Sequence, residues 1–513
     1  MGLSFSLQNI ANKTPKRERK ICFMKFKAIF LLLSFLLLSL TAAFFASCSG
    51  GESTGVENGG ENEADMTLET AAEIEDWYTL PEADYGGYDF NILYIDWSNY
   101  ANGLYFNEEE SGDVLNGEVY KRRRTTEEQL GINIHTVITE WNLVYDKIRT
   151  AVAAGDDIYD FALTHCIGCV APLAINGLVL DFGRINGFQL DKPWWNQNMN
   201  KEMTICGSLL FGVSDFIIPE PNVIYFNKEI QARYGMEDFY SIVKKGEWTL
   251  DKFTELVKIP SMDLDGNGIF DESDQYGLAL SIDWFSISFM HAADQKIAQT
   301  LPGELYPTLA MNNDRMISIY EKVYELALGG DWTYTFVNPE DSGWPIDIDS
   351  GRALFTVKSL RSAQLVRSWD IDVGILPFPK FDELQKEYVN NSWNGFMCIP
   401  SIASDPERTA AVIETLSIYS RKYNIPAYYD VLLRTKVARD DASEEMLDII
   451  YNSCSYDLGL NLSADNGSIV YTIPNLLIAK SENFVSYYEK NAPAYEKRLF
   501  EICEAVIDIY GRK

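Results

Sequence analysis

Residues 263–274 carry the clearest chemistry in this 513-residue chain. Asp263, Asp265 and Asn267 alternate, Gly268 permits a tight turn, and Ile269, Asp271 and Asp274 follow at positions 7, 9 and 12 of the loop. That spacing wraps a chain around one hard cation, with Ile269 giving its carbonyl and the others side-chain oxygens. Calcium is the ion such a set suits. Asp274 stands where a longer Glu is usual, so the last position offers a shorter reach and weaker affinity. An apolar run, 276–281, follows the loop instead of a second helix. A bound ion would therefore staple a loop and would not move paired helices as a sensor does. The plainer alternative is an acidic, glycine-rich surface turn.

Aromatic residues are the second signal, with 11 Trp and 29 Tyr. Trp97, Trp284, Trp344 and Trp393 adjoin Ser98, Asp283, Pro345 and Asn394. A flat ring beside short polar groups suits a sugar, whose C–H face packs on the ring while its hydroxyls are tied from the side. Cys166 and Cys169, next to His165, could form a redox pair or half a zinc site, but no second pair completes four ligands. Loop cysteines, or one local disulfide, are the simpler reading. Enzyme motifs are lacking: there are three histidines without a metalloprotease pair, no nucleophile elbow and no phosphate-cradling glycine loop. Among 75 acids, a converging pair for glycoside hydrolysis is not marked by any spacing.

The start of the chain speaks to compartment. Lys25 and Lys27 precede an apolar stretch over 28–40, then Phe45, Ala46, Ser47 and Cys48 lead into Ser49, Gly50 and Gly51. Charged, apolar and small-residue regions in that order are a cleaved secretory signal. With a cysteine at the first mature position, it resembles a bacterial lipoprotein signal, which implies acylation of Cys48 and an anchor at the extracytoplasmic face of the membrane. An uncleaved signal anchor is the alternative, since the apolar stretch is nearly long enough to span. Residues 48–84 then read as a flexible tether, rich in Gly, Glu and Ser to about residue 76. The net charge is −32, and residues 1–47 hold seven Lys and Arg against Glu18, so the remainder is near −38. Such a surface repels nucleic acid and anionic lipid.

The elements that must position these residues alternate. Residues 89–95 form a largely apolar strand, 113–130 a helix stopped by Gly131, 132–138 a strand, 144–154 an amphipathic helix and 159–163 a strand. That order predicts a parallel α/β lobe, whose ligands lie beyond the C-terminal strand ends. Asp96, Trp97, Ser98, Thr164 and His165 fall there. Short strands are expected at 209–213 and 223–226, flanking a stiff crossing at Pro219, Glu220 and Pro221. Thr249 should cap a helix, Asp405 and Pro406 should start another, and a long helix should close the chain over 494–510.

Taken in order, several segments resemble the extracellular solute-binding proteins of the sugar-transport type, distantly maltose-binding-protein-like. They include Ala154 to Asp160; Ile224 to Lys228 with Tyr234 and Gly235; Trp248 and Thr249 with Phe253; Gly351 to Phe355; Val373 to Pro377; and Asn394 to Pro400. The resemblance spans most of 86–440 and becomes faint beyond. It implies an α/β, two-lobe periplasmic-binding-protein fold (type II). Each lobe would be a mainly parallel sheet with flanking helices, joined by crossover hinge segments. It further implies an N-terminal lobe of 86–218 plus 396–440 and a C-terminal lobe of 222–392 plus 441–513. The ligand contacts it implies by position are Trp97, His165, Glu220, Asn222, Ser359, Trp393 and Asn394, to which the aromatic reading adds Trp284. The implied partners are a mono- or oligosaccharide and the permease of an ABC importer, without catalysis. A glycan-active hydrolase using cleft carboxylates is the alternative.

Overall fold

The computed structural model describes residues 78–96, 105–107, 113–337, 346–363, 369–393, 395–433, 441–462 and 469–511. The signal segment with Cys48, most of the tether, Trp97, Trp344 and Asn394 lie outside the described residues. In chain order the first half gives β1 (Tyr88–Asp96), α1 (Val114–Leu130), β2 (Ile132–Glu140), α2 (Val144–Ala154), β3 (Phe161–Thr164) and α3 (Val170–Ile175). The middle gives β4 (Asn222–Asn227), α4 (Leu250–Lys258), β5 (Tyr276–Ser281), α5 (Ser286–Ala292), α6 (Asp314–Leu328), β6 (Thr333–Phe336), β7 (Ala353–Ser359) and β8 (Val373–Leu376). The return gives β9 (Asn390–Asn391), β10 (Phe396–Cys398), α7 (Pro406–Tyr419), α8 (Ile425–Leu433), α9 (Asp441–Asn452), β11 (Cys454–Ser455), α10 (Thr472–Ile478) and α11 (Phe484–Tyr510).

Apart from β9 and β11, which pair with each other, these strands build two sheets. The first runs β10-β3-β1-β2, with β1 parallel to β2 and β3 and only β10 antiparallel. Its inner strand β3 is buried along its whole length, whereas β2 alternates, with Ile132 and Ile134 inward and Asn133 and His135 outward. That is the pattern of a strand covered on one face. The second sheet runs β8-β4-β7-β5-β6. Here β5 pairs parallel with β7 and β6, while β4 pairs antiparallel with β7 and β8. The mainly parallel expectation thus describes the first sheet, and the second is evenly mixed because β4 and β8 return across its edge. Gly277 in β5 allows α4 to lie directly on the strand: a Cβ there would fall 1.7 Å from the Val257 carbonyl oxygen.

Local signals set the helix ends. Thr249 accepts the Lys252 amide at 3.2 Å, and Asp405 accepts the Arg408 amide at 2.9 Å ahead of Pro406. Gly131 ends α1 in the left-handed conformation. The last helix begins ten residues before the expected start, at Phe484, and carries Pro493 inside it. Its buried stripe (Phe484, Tyr488, Ala492, then Leu499, Cys503 and Val506) continues past that proline. Pro493 faces solvent together with Glu489, whose carbonyl loses its helical donor, so water can satisfy it. Residues 209–213 form no regular strand; they make a single bridge, Gly212 to Met397.

One carboxylate organises the packing of α7. Glu414, fully buried, accepts the indole N–H of Trp194 at 2.7 Å, that of Trp195 at 2.8 Å and the Gln189 amide at 2.8 Å. Replacing it leaves two indole donors buried without an acceptor, each costing about 1–3 kcal/mol. Glu414→Ala should lower the urea midpoint by about 3 kcal/mol of stability at unchanged slope. Glu414→Gln, which retains one acceptor oxygen, should lose less.

Candidate functional site

The two sheets meet where the chain crosses between them. Pro221 of the first crossing bridges antiparallel to Ser392 of the return, and its carbonyl accepts the Leu360 amide at 2.8 Å. Beneath this junction the ends of β1 and β3, the two crossings and the segment after β7 enclose a cavity of about 20 Å³. Tyr94, Tyr105, Leu163, Glu220, Arg361 and Gly395 are among its walls. It is too small for a sugar ring and forms the floor of the junction.

Glu220 is buried there, its Oε2 3.1 Å from Arg361 Nη1. Burial pushes its carboxyl pKa up, and the guanidinium pulls it back. The Tyr428 hydroxyl lies within the electrostatic reach of this pair and is buried without a hydrogen bond among the described residues.

Aromatic groups follow strands of both sheets. Trp141, immediately after β2, is 46% exposed and lies 4.9 Å from the His165 ring. His165 Nδ1 accepts the Ile167 amide at 3.0 Å, and burial pushes its pKa down to about 4, so the ring is neutral near pH 7. From the second sheet, Trp284 is 39% exposed and meets Trp393 edge-on, 6.0 Å between ring centres. The Trp393 indole N–H is buried without an acceptor among the described residues. Burial raises the Tyr471 pKa, as do Asp283 and Cys166. The loops after β3 and β5 therefore both come near that one hydroxyl.

The remaining expected contacts have other work. Asn222 donates to Ser288 Oγ at 2.9 Å and pairs across the sheet with Ser359. Ser359 Oγ accepts the Arg361 amide at 3.3 Å. Both stiffen the junction. Trp284 and Trp393 are brought into contact, Glu220 lies at the junction, and His165 follows the end of β3 there. Trp141, Arg361, Tyr428 and Tyr471 were not anticipated. Trp141 obeys the same strand-end rule that selects His165, and Arg361 lies two residues past Ser359. Tyr428 is on α8 and Tyr471 lies past 440, where no motif marked them.

The 263–274 loop is elsewhere. It precedes β5, whose six residues span about 17 Å from that loop to the cleft end. Carboxylate oxygens of Asp263, Asp265 and Asp274 lie within 4.8 Å of one another. Asp263 also accepts the Gly266 and Gly268 amides at 2.7 and 2.8 Å, which lowers its pKa. Asn267 accepts the Ile269 amide and Asp271 the Ser273 amide, so both side chains cap turns of the loop. The described cysteines, including Cys166 and Cys169, are buried free thiols.

Neither a protein-family model nor a curated protein matches the chain. Solved structures do. The ABC substrate-binding protein Lmo0181 from Listeria monocytogenes, in complex with cycloalternan, is 11% identical with a TM-score of 0.50, covering 83% of this chain and 100% of its own. UgpB from Mycobacterium tuberculosis, in complex with glycerophosphocholine, is 15% identical with a TM-score of 0.52, covering 82% and 99%. The cyclic alpha-maltosyl-1,6-maltose binding protein from Arthrobacter globiformis is 14% identical with a TM-score of 0.52, covering 83% and 99%.

The depressed His165 pKa has a defined sign. The fold favours the neutral ring, so this contribution is complete above pH 6.5 and is lost as pH falls toward 4. Between pH 7 and 4, the native protein should lose about 3 kcal/mol more stability than His165→Gln, measured by urea unfolding. At these identities the structural likeness concerns architecture, and the chain has the α/β, two-lobe fold of the solute-binding proteins.

Proposed function

We propose that this chain is a lipid-anchored, extracytoplasmic solute-binding protein that captures a carbohydrate-type ligand between two lobes and delivers it to an ABC importer. What supports this reading is an aromatic pair after the strands of each lobe, Trp141 with His165 and Trp284 with Trp393, and the Glu220–Arg361 pair at the junction of the two sheets. Such aromatic faces would offer a sugar its C–H contacts, and neutral His165 avoids placing a fixed charge there. Contact with both lobes would favour the closed form. Of the structural neighbours named above, two are in complex with cycloalternan and glycerophosphocholine and one is a cyclic alpha-maltosyl-1,6-maltose binding protein, which supports binding without chemistry. The hydrolase alternative has no specific support, because Glu220 is tied to Arg361 and Asp283 accepts Ser281 Oγ at 2.5 Å.

The lobes of this reading are 86–218 with 396–440 and 222–392 with 441–513. The last helix bridges them: Phe484 packs on Tyr320 of α6, while the Tyr510 hydroxyl reaches the Val179 carbonyl at 2.9 Å. Cys48 is the anchor of the same reading. Among the described residues, no helix is long and apolar enough to cross a membrane. Calcium on Asp263, Asp265, Asn267, the Ile269 carbonyl, Asp271 and Asp274 would have a structural role.

Tryptophan fluorescence against a panel of saccharides and glycerophosphodiesters tests the main claim. A saturable shift with unchanged ligand recovered is expected, and Trp284→Ala should weaken it at least tenfold without lowering stability. A cleaved sugar, or silence across the panel, would count against the reading. Calcium should raise the unfolding temperature of the native chain and leave Asp265→Ala unmoved.

A further inference from the structure

Residues 205–208 form a two-residue hairpin in which Ile205 and Ser208 exchange both backbone hydrogen bonds at 2.9 Å. Its tip residues, Cys206 and Gly207, have φ of 46° and 86°. Two positive φ values in succession are the turn type that favours Asn, Asp or Gly at the first tip position. A cysteine is a poor backbone choice there, and its side chain supplies the reason. Its thiol is close enough to that of Cys503, about two turns from the end of the last helix, for each to perturb the other's ionisation. Both residues are buried, at 8% and 0% exposure.

Three segments far apart in sequence close on this point. A Cβ at Gly207 would lie 3.7 Å from Leu305 Cδ1. The adjacent Tyr306 stacks on Phe500, 5.7 Å between ring centres, and donates to Glu504 Oε1 at 2.5 Å. The turn, the 305–306 loop and the helix end are therefore held together before any covalent bond forms. Cys169, by contrast, directs its thiol to the Trp141 carbonyl at 3.8 Å, and Cys454 to the Ile450 carbonyl at 3.7 Å.

We propose that Cys206 and Cys503 are a disulfide-forming pair that covalently pins the last helix to the 205–208 turn in an oxidising compartment. The oxidant is an external disulfide, either of a small thiol or of a protein. The Cys206 thiolate attacks one of its sulfurs, giving a mixed disulfide and releasing one thiol. Cys503 then loses its proton and attacks Cys206 Sγ, so the internal S–S bond forms and the second external thiol leaves. Two protein thiols give up two electrons and two protons, and one external disulfide becomes two thiols. Cys206 attacks first because it is the less buried of the two, and the neighbouring thiol lowers its pKa while that of Cys503 is raised.

The full chain, purified reduced and then incubated with oxidised glutathione, provides the test. Non-reduced peptide mapping should recover the Cys206 and Cys503 peptides joined, with two thiols lost and a higher unfolding midpoint. Cys206→Gly, which suits the positive φ and should fold, ought to show no oxidant-dependent change in midpoint. Cys503→Ser should leave Cys206 as a glutathione adduct. A native chain carrying only that adduct, a link joining another cysteine pair, or thiols that all remain free would each overturn the proposal.

Discussion

The architecture depends on how two sheets share a junction. Pro221 and Ser392 run side by side between them, and Glu220 is held against Arg361 where the crossings pass the ends of β1 and β3. A buried carboxylate is costly unless a guanidinium stands close, so the pair fixes geometry more than it adds stability. Pro219 and Pro221 restrict the crossing further by fixing φ and removing amide donors. Movement of the sheets must then pass through a few residues around a rigid floor. Every group that could touch a ligand is aimed relative to that floor.

Much of the scaffold was legible from composition and punctuation. The apolar runs of β1, β3 and β5 are long enough to be buried on both faces, and Thr249, Asp405 and Gly131 mark helix ends by side-chain or glycine chemistry alone. Strand direction in the second sheet was not, because β4 and β8 look like any short apolar run, and only tertiary pairing orients them. The early start of the last helix was hidden for a different reason. A proline usually begins a helix, but here the tertiary stripe from Phe484 to Val506 outweighs one lost hydrogen bond on a wet face.

The site was legible by position and less so by chemistry. Strand ends and crossings carry His165, Glu220 and Trp393 as expected, and Asn222 and Ser359 lie there too, with polar atoms bonded within the junction. Tyr471 could not be found locally, since it reaches the cleft from a segment far down the chain. The acidic surface adds little to this picture. The groups described around the cleft are mainly aromatic, and the Glu220 and Arg361 charges are directed at each other.

Small-angle X-ray scattering on the chain, with and without a saccharide that shifts its tryptophan fluorescence, tests hinge closure most directly. The account predicts a saturable fall in the radius of gyration that follows the same binding curve as the fluorescence. Saturable binding with an unchanged radius of gyration would contradict closure about the Glu220–Arg361 junction.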